Sequence, residues 1–326
     1  MRRRDGGVNV ALRPEHLNII SLCTGGGGLD LGIELAIQGT RAVCMVEREA
    51  FAVSQLVSAM EAGLMAPAPI WSDARSFNGR AWRGAVDGVI GGIPCQPHSL
   101  AGKRLGEEDE RDLWSTARRI IVQSGAWFVL IENVRGMLSS GGAERVWRDL
   151  CRLGFTPEGG LFTASECGLP HERERFFILA VADRNGEGLE GYGVAGECAR
   201  ELPPGQGCGQ LADPACLDEW RHRKRRQDQA VEIGGHGLSL FPPERDDFES
   251  WRAIIDQSPH LEPAFRRVAD GLASRLDIAR VDRLRMLGNG VVPLQAAYAI
   301  RTLVTRLAAR GSAGAARLVR MMEMAA

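Results

Sequence analysis

The sequence predicts an α/β fold: a doubly wound, mostly parallel sheet with an antiparallel edge strand, plus a small irregular region. Three observations carry this. Five short apolar runs between residues 18 and 131 alternate with segments of helical periodicity, the pattern of strands joined by crossover helices. After residue 155 two strand-like runs follow one another with no helix-length segment between them, so they pair antiparallel at one sheet edge. The 326 residues suffice for one large α/β domain and a smaller region.

In chain order, residues 1–17 read as a loose arm and Asn18 to Cys23 as a buried strand. The glycine run Gly25 to Gly28 follows. Leu29 to Gln38 then carries Leu31, Leu35 and Ile33, Ala36, Ile37 at helical spacing. Arg41 to Val46 is the second strand, ending at Glu47, and Ala50 to Met60 the second helix. A short third strand precedes Ser72-Asp73. Val86 to Ile90 is the fourth strand, Leu113 to Gln123 a helix, Trp127 to Ile131 the fifth strand, and Ala143 to Leu153 another helix. Phe155 to Ala164 and Arg175 to Ala182 form the antiparallel pair. From Asp183 to about residue 237 the chain is rich in Gly, Pro and charge, and it reads as a small irregular unit or a disordered one. Helical patterning returns over 246–275, broken at Pro259 and Pro263. Gly288-Asn289-Gly290 then precedes a helix over Val291 to Leu307, with a proline near its first turn.

Composition excludes several classes. No run approaches the ~18 apolar residues of a membrane helix, and Met1-Arg-Arg-Arg-Asp has no apolar stretch behind it, so a cytoplasmic protein is expected. The eight cysteines form no dense framework, and most read as small core residues, Cys23, Cys44 and Cys151 among them. The net charge of −1 leaves a nucleic-acid partner open, because local distribution matters more than the total. Lysine occurs only at Lys103 and Lys224, so nearly all positive charge is arginine. That suits phosphate and guanine recognition, and equally a GC-rich genome.

Strand, glycine turn, helix, then an acid about twenty residues on is the general plan for holding an adenosine. Glu47 is the acid, placed for ribose hydroxyls. Nicotinamide, flavin and S-adenosyl-L-methionine (AdoMet) enzymes all use this plan. Asp73 is placed to accept from an adenine amino group, with a plain surface carboxylate as the alternative.

Two further strand ends carry chemistry. Gly91-Gly92-Ile93-Pro94-Cys95-Gln96-Pro97 sets one cysteine in a rigid Gly/Pro turn, which suits a nucleophile better than a packed core residue. Glu132-Asn133-Val134 follows an apolar strand, so Glu132 is expected to be partly buried with a raised pKa. Thiol and carboxyl together allow covalent attack on a ring that must be protonated to accept it. Arg173 and Arg175 alternate with Glu172 and Glu174; both arginines reach into the cleft, or the segment is a solvated strand edge.

These pieces, in this order, resemble the DNA cytosine-5 methyltransferases, phage and prophage members especially. Leu22-Cys23-Thr24-Gly25-Gly26-Gly27-Gly28 resembles the family's AdoMet loop, and Pro94-Cys95-Gln96 its nucleophile motif. Glu132-Asn133-Val134 resembles its acid motif, Cys167 to Arg175 its Gln-x-Arg-x-Arg segment, and Leu287 to Pro293 its closing motif. Three positions depart from the pattern: Cys23 where phenylalanine is common, His171 for the usual glutamine, and His98 where Phe or Gly is commoner.

The resemblance implies a Rossmann-like AdoMet-dependent methyltransferase sheet and the following roles. Cys95 attacks C6 of a cytosine flipped out of duplex DNA. Glu132 binds N3 and the exocyclic amine, Arg175 contacts O2, and Arg173 supports the loop. AdoMet is held by Cys23, Thr24, Gly25, Gly27, Gly28 and Leu29, by Glu47, Arg48, Asp73 and Ala74, by Gly92, Pro94 and Leu113, and by Asn289, Gly290 and Val291. Gln96, Ser99 and Arg104 contact DNA, and the loop from Ser99 to Arg111 closes over the base. Residues 1–182 form the catalytic unit, 183–275 a small target-recognition region, and 276–326 a segment returning to the catalytic unit. In the recognition region Arg221, Arg223, Lys224 and Arg225 are expected on phosphates, with affinity falling as salt rises, the alternative being a solvated charge run in a flexible loop. A monomer suffices, because base flipping needs one subunit.

Rival readings stay open at the level of sequence. The same catalytic plan serves transfer-RNA cytosine methylation, and a non-catalytic DNA-binding relative would keep the fold. A thymidylate-synthase-type hydroxymethylase also uses a Pro-Cys thiol, but its fold lacks the glycine loop and the Glu47 spacing. Cys198, Cys208, Cys216 and His222 offer four zinc ligands, at spacings that match no standard ribbon or finger.

Overall fold

The computed structural model describes residues 16–94, 113–169, 173–183, 249, 252, 256 and 290–323. The first half alternates strictly: β1 (Leu17–Leu22), α1 (Gly28–Ala36), β2 (Thr40–Val46), α2 (Ala50–Glu61), β3 (Ile70–Trp71), β4 (Gly88–Gly92), α3 (Trp114–Ser124) and β5 (Phe128–Val134). A short α4 (Gly136–Ser139), α5 (Gly142–Arg152), β6 (Thr156–Phe162) and β7 (Arg175–Val181) follow. Two more helices, α6 (Pro293–Ala309) and α7 (Ala313–Glu323), come from the far end of the chain.

The seven strands lie in the order β3-β2-β1-β4-β5-β7-β6. Strands β1 to β5 run parallel, and β7 is antiparallel to both β5 and β6. The expected antiparallel pair is thus present, with β6 outermost and β7 inserted against β5. This insertion matters for the site. An antiparallel strand begins where its parallel neighbour ends, so Arg175 at the start of β7 pairs with Val134 at the end of β5.

Apolar side chains alternate across the sheet and build two cores. One face carries Ile20, Leu22, Val89, Val129, Ile131, Phe176 and Ile178 against α3 and α5. The other carries Ile19, Ile90, Phe128, Leu130, Phe177 and Leu179 against α1, α6 and α7. Each large side chain so buried contributes about 1.5–3 kcal/mol. Helix α3 earns its place by period: Trp114, Ala117, Ile120, Ile121 and Ser124 fall on one buried face. It ends at Gly125, whose φ of 70° is open to glycine and costly for other residues. Trp114 Nε1 donates to Asp149 Oδ2 at 2.9 Å, tying α3 to α5.

Helix α1 lies close against α6. A methyl group on Gly32 would sit 2.5 Å from Ala296 Cβ, and one on Gly28 would sit 2.2 Å from the Val291 carbonyl oxygen. Only hydrogen at these two positions allows the approach. Pro293 opens α6, as the proline in the sequence indicated.

Two boundaries that bear on the site differ from the sequence expectation. Strand β4 runs Gly88–Gly92 rather than 86–90, so the two glycines read as a turn are strand. Strand β5 continues to Val134, so Glu132 lies inside the strand rather than after it. In both cases pairing with the neighbouring strand continues past the apolar run, through Gly92↔Glu132 and Glu132↔Phe177. Among the described residues no helix is long and apolar enough to cross a membrane, and no cluster of potential metal ligands occurs. The four proposed zinc ligands, the arm up to residue 15 and the helical pattern over 246–275, apart from residues 249, 252 and 256, lie outside the described residues.

Candidate active site

A cavity of about 610 Å³ opens at the C-terminal ends of the parallel strands, where such sheets bind ligands. Its floor is the end of β1 and the turn that follows: Ser21, Cys23, Thr24 and Gly25. The first turn of α1 adds Gly28, Leu29 and Asp30. Glu47 closes one side, Gly92 and Glu132 the other, and Gly290 to Pro293 form the opposite wall with Arg173.

Glu47 is buried, and its carboxylate organises the turn. Oε2 accepts from Gly25 N at 2.7 Å, while Oε1 accepts from Arg48 N and Glu49 N at 2.8 Å each. The glycine loop is thereby fixed before any ligand arrives. Cys23, expected as a core residue, is half-buried in the cavity wall with a φ of 52°. The loop bends sharply at that residue and turns its side chain out of the core.

Glu132 and Arg175 meet on one face of the sheet. Glu132 pairs with Phe177, and Arg175 lies two residues before it on the same face, so the two side chains are diagonal neighbours. Arg175 Nε sits 3.0 Å from Glu132 Oε1. Glu132 is 6% exposed. Burial pushes its carboxyl from 4.5 up to about 7, against the pull of Arg175 and then Arg173. The carboxyl is therefore protonated for part of the time near neutrality, as a general acid requires. Gly92 leaves it room: a methyl group there would sit 3.1 Å from Glu132 Oε2.

Arg173 precedes β7 at a φ of 30°. Its Nη2 donates to the Gly290 carbonyl, bridging β7 to the segment before α6. Gln295 on α6, fully buried, fixes the same corner; its Nε2 donates to Phe162 O and to Arg173 O at 2.8 Å each. Asn133 holds the other approach. Its Nδ2 donates to Ile93 O at 2.7 Å, two residues before Cys95. The sequence motif around Glu132 contained Asn133, but its hydrogen bond to Ile93 needed the fold. Gln295 gave no signal beyond a polar residue in an apolar helix.

Of the remaining expected cofactor residues, Cys23, Thr24, Gly25, Gly28, Leu29, Gly92, Gly290 and Val291 line the cavity. Gly27, Arg48, Asp73, Ala74, Pro94 and Leu113 do not appear in its lining. Asp73 Oδ1 accepts from Arg75 N at 2.9 Å in a turn. The reading missed Ser21, Asp30, Glu49, Phe51 and Ala52, all of which line it. Cys95, Gln96, Ser99, Arg104, Asn289 and the cluster Arg221, Arg223, Lys224 and Arg225 lie outside the described residues, as do His98, His171 and the loop to Arg111. Among described thiols, burial pushes Cys44 and Cys167 up to about 11, so neither is a ready thiolate.

The cavity wall carries Asp30, Glu47, Glu49 and Glu132 against one lining arginine, Arg173. Such a wall suits a ligand bearing positive charge.

The model of the family described as C-5 cytosine-specific DNA methylase matches residues 17–196, more than half of the chain. Type II methyltransferase M.NgoMIV of Neisseria gonorrhoeae is 32% identical over 169 residues, 50% of this chain and 51% of that protein. The chain thus spans about half the length of that relative. Type II methyltransferase M.BspRI of Lysinibacillus sphaericus is 24% identical across 92% of this chain and 84% of its own. A solved structure of a putative DNA modification methyltransferase encoded within an Escherichia coli prophage is 27% identical. It covers 51% of this chain and 47% of its own, with a TM-score of 0.41. From the family match over residues 17–196, the chain belongs to the C-5 cytosine-specific DNA methylase family.

Proposed function

We propose that this protein transfers a methyl group from AdoMet to C5 of a cytosine flipped out of duplex DNA, through a covalent bond between Cys95 and C6. The observation that carries the reading is the Glu132–Arg175 pair: a buried carboxyl, poised near neutrality, beside a cation at the edge of a cavity. Family membership supports the reaction class.

The residues present fit AdoMet. The acidic wall complements a ligand with two positive charges, and the cavity volume lies within the range of small-ligand sites. Glu47 would hold the ribose hydroxyls, and Gly25, Gly28 and the Gly290–Val292 segment, which line the cavity, would hold the rest of the ligand. When bound, AdoMet supplies an electrophilic methyl group on a sulfonium.

The chain's own groups do the rest. The Cys95 thiolate forms a bond to C6, and the displaced electron pair is accommodated as Glu132 gives its proton to N3. Arg175 donates to O2 and holds the ring in register, with Arg173 bracing the loop. C5, now nucleophilic, would accept the methyl group as its bond to sulfur breaks, leaving S-adenosylhomocysteine as the neutral thioether. Return of the N3 proton to Glu132, and transfer of the C5 proton to a solvent base, accompany departure of the Cys95 thiolate; the C5–H electron pair forms the C5–C6 double bond and restores the aromatic ring. Flipping the base costs a few kcal/mol, offset by these contacts.

We assign residues 1–182 and 276–326 to the catalytic unit and 183–275 to target recognition. In this reading Gln96, Ser99 and Arg104 touch the DNA near the flipped base, and Arg221, Arg223, Lys224 and Arg225 contact phosphates. The protein acts as a monomer in the cytoplasm.

The test is transfer of label from AdoMet to unmethylated duplex DNA and to tRNA, with wild type beside Cys95→Ser. Label on cytosine C5 of DNA with wild type alone is the expected result, and mapping it gives the target sequence. Label on tRNA only would redirect the substrate to RNA. Absence of AdoMet binding would overturn the catalytic reading.

A further inference from the structure

The cavity holds one buried acid that the proposed chemistry does not use. Asp30, in the first turn of α1, is 7% exposed and lines the cavity beside Ser21 and Thr24. The Ser21 hydroxyl donates to Asp30 Oδ2 at 2.9 Å, and the Thr24 hydroxyl lies 3.0 Å from the Ser21 oxygen as donor. Two hydroxyls in series thus satisfy one carboxylate oxygen. The other, Oδ1, is buried and has no hydrogen-bond partner among the described residues.

A buried carboxylate oxygen without a donor is costly, and proteins keep such groups where a ligand completes them. The described charges around Asp30 do not complete it. Glu34 on its own helix is a like charge, as are Glu47, Glu49 and Glu132 around the cavity. The lining cation, Arg173, is directed to the Gly290 carbonyl. Burial accordingly pushes Asp30 from 3.8 up to about 6, with the Ser21 hydroxyl and then Asp30's own backbone N–H holding it back.

We infer that Asp30, oriented by Ser21 and Thr24, is the acceptor for the α-ammonium group of the cofactor's methionine moiety. The inference rests on the reading of this cavity as an AdoMet site. Of the two cationic centres in that ligand, the sulfonium has no N–H to donate. The ammonium has three, and an orphaned acceptor oxygen calls for one. The site is built for the purpose. The Ser21 hydrogen bond occupies Oδ2, which leaves Oδ1 as the acceptor for a ligand that reaches this carboxyl from the cavity Asp30 lines. The position on the first turn of α1 also places the acid where the helix dipole favours negative charge.

The experiment is calorimetric binding to the full chain, wild type and Asp30→Asn, well above the carboxyl's titration range. Three probes are used: AdoMet, S-adenosylhomocysteine, and 5′-deoxy-5′-(3-carboxypropylthio)adenosine. The second lacks the sulfonium charge but keeps the ammonium; the third lacks both. Asp30→Asn keeps the shape and removes a buried charge, so it is expected to fold, and the third probe reports an intact cavity. The expected result is a loss of about tenfold or more for AdoMet and for S-adenosylhomocysteine alike, with the third probe unchanged. Loss for AdoMet alone would assign Asp30 to the sulfonium and overturn the inference. Equal loss for all three, or for none, would also overturn it. Failure of wild type to bind AdoMet would instead remove the reading of the cavity on which it stands.

Discussion

Replacing Glu132 with glutamine should stabilise the protein at neutral pH while abolishing methyl transfer. In the unfolded chain this carboxyl titrates near 4.5, and in the folded protein near 7. Below the first value both states are protonated, and the side chain folds without a charge to bury. Between the two values the folded protein holds a proton that the unfolded chain has released, so stability falls as pH rises. Above the folded value the full cost is present. With about 1.4 kcal/mol for each pH unit of difference, the cost reaches about 3 kcal/mol. That figure already includes the attraction of Arg175, which lies 3.0 Å away and offsets part of the burial. Glutamine has no such titration. Urea unfolding of both proteins at stepped pH, taken as a difference, cancels every other titrating group. The glutamine variant should gain on wild type by about 3 kcal/mol between pH 4.5 and pH 8. Parallel stability curves over that range would refute the burial argument, and so would retained transfer activity. A gain in stability with a loss of function is the mark of an acid kept in place for chemistry.

Three further outcomes follow from the geometry. Arg175→Ala removes the largest force holding the Glu132 pKa down; the pH profile of transfer should move upward and the rate fall by about 100-fold, and an unmoved profile would break the assignment. Gly28→Ala places a methyl group 2.2 Å from the Val291 carbonyl oxygen. The backbone must give way, costing about 1–3 kcal/mol and weakening AdoMet binding; thermal melting and calorimetry check both. Gln295→Leu strands the Phe162 and Arg173 carbonyls, each held at 2.8 Å. Denaturant unfolding should show a loss of about 2–3 kcal/mol, with transfer impaired through Arg173.

The parallel half of the fold was legible because its signals are local. Apolar runs ending in Gly or acid, joined by helical periods, give strand, crossover and strand without knowledge of the rest. Glu47 and Glu132 were legible for the same reason, since each lies at the end of such a run. What escaped depended on neighbours distant in sequence. Gly91 and Gly92 looked like a turn, yet Gly92 is a strand residue whose smallness accommodates Glu132 from the next strand. Asp30 looked like any acid in a first helical turn, and only the fold sets it beneath Ser21 in a cavity. Helix α7 was passed over although Ala315, Leu318, Met321 and Met322 mark its buried face at helical spacing. Its small, alanine-rich start gave a weak pattern. Asp73 was singled out by spacing alone, and the turn in which its Oδ1 accepts from Arg75 N needed the fold.

The wall formed by Gly290 to Pro293 has a consequence for how the protein is born. The ribosome delivers the glycine loop, Glu47 and Glu132 first, and this wall roughly 160 residues later; at ordinary elongation speeds the gap lasts about 8–30 s. Until then α1 presents Gly28 and Gly32 to solvent in place of the α6 surface that covers them, and Arg173 lacks the Gly290 carbonyl. Pairings so far apart in sequence also form late, because a long loop must close before any contact rewards it. A nascent chain is therefore without a finished pocket, and a message cut short before α6 yields a polypeptide with Glu132 and both arginines in hand but with one wall of the cavity missing.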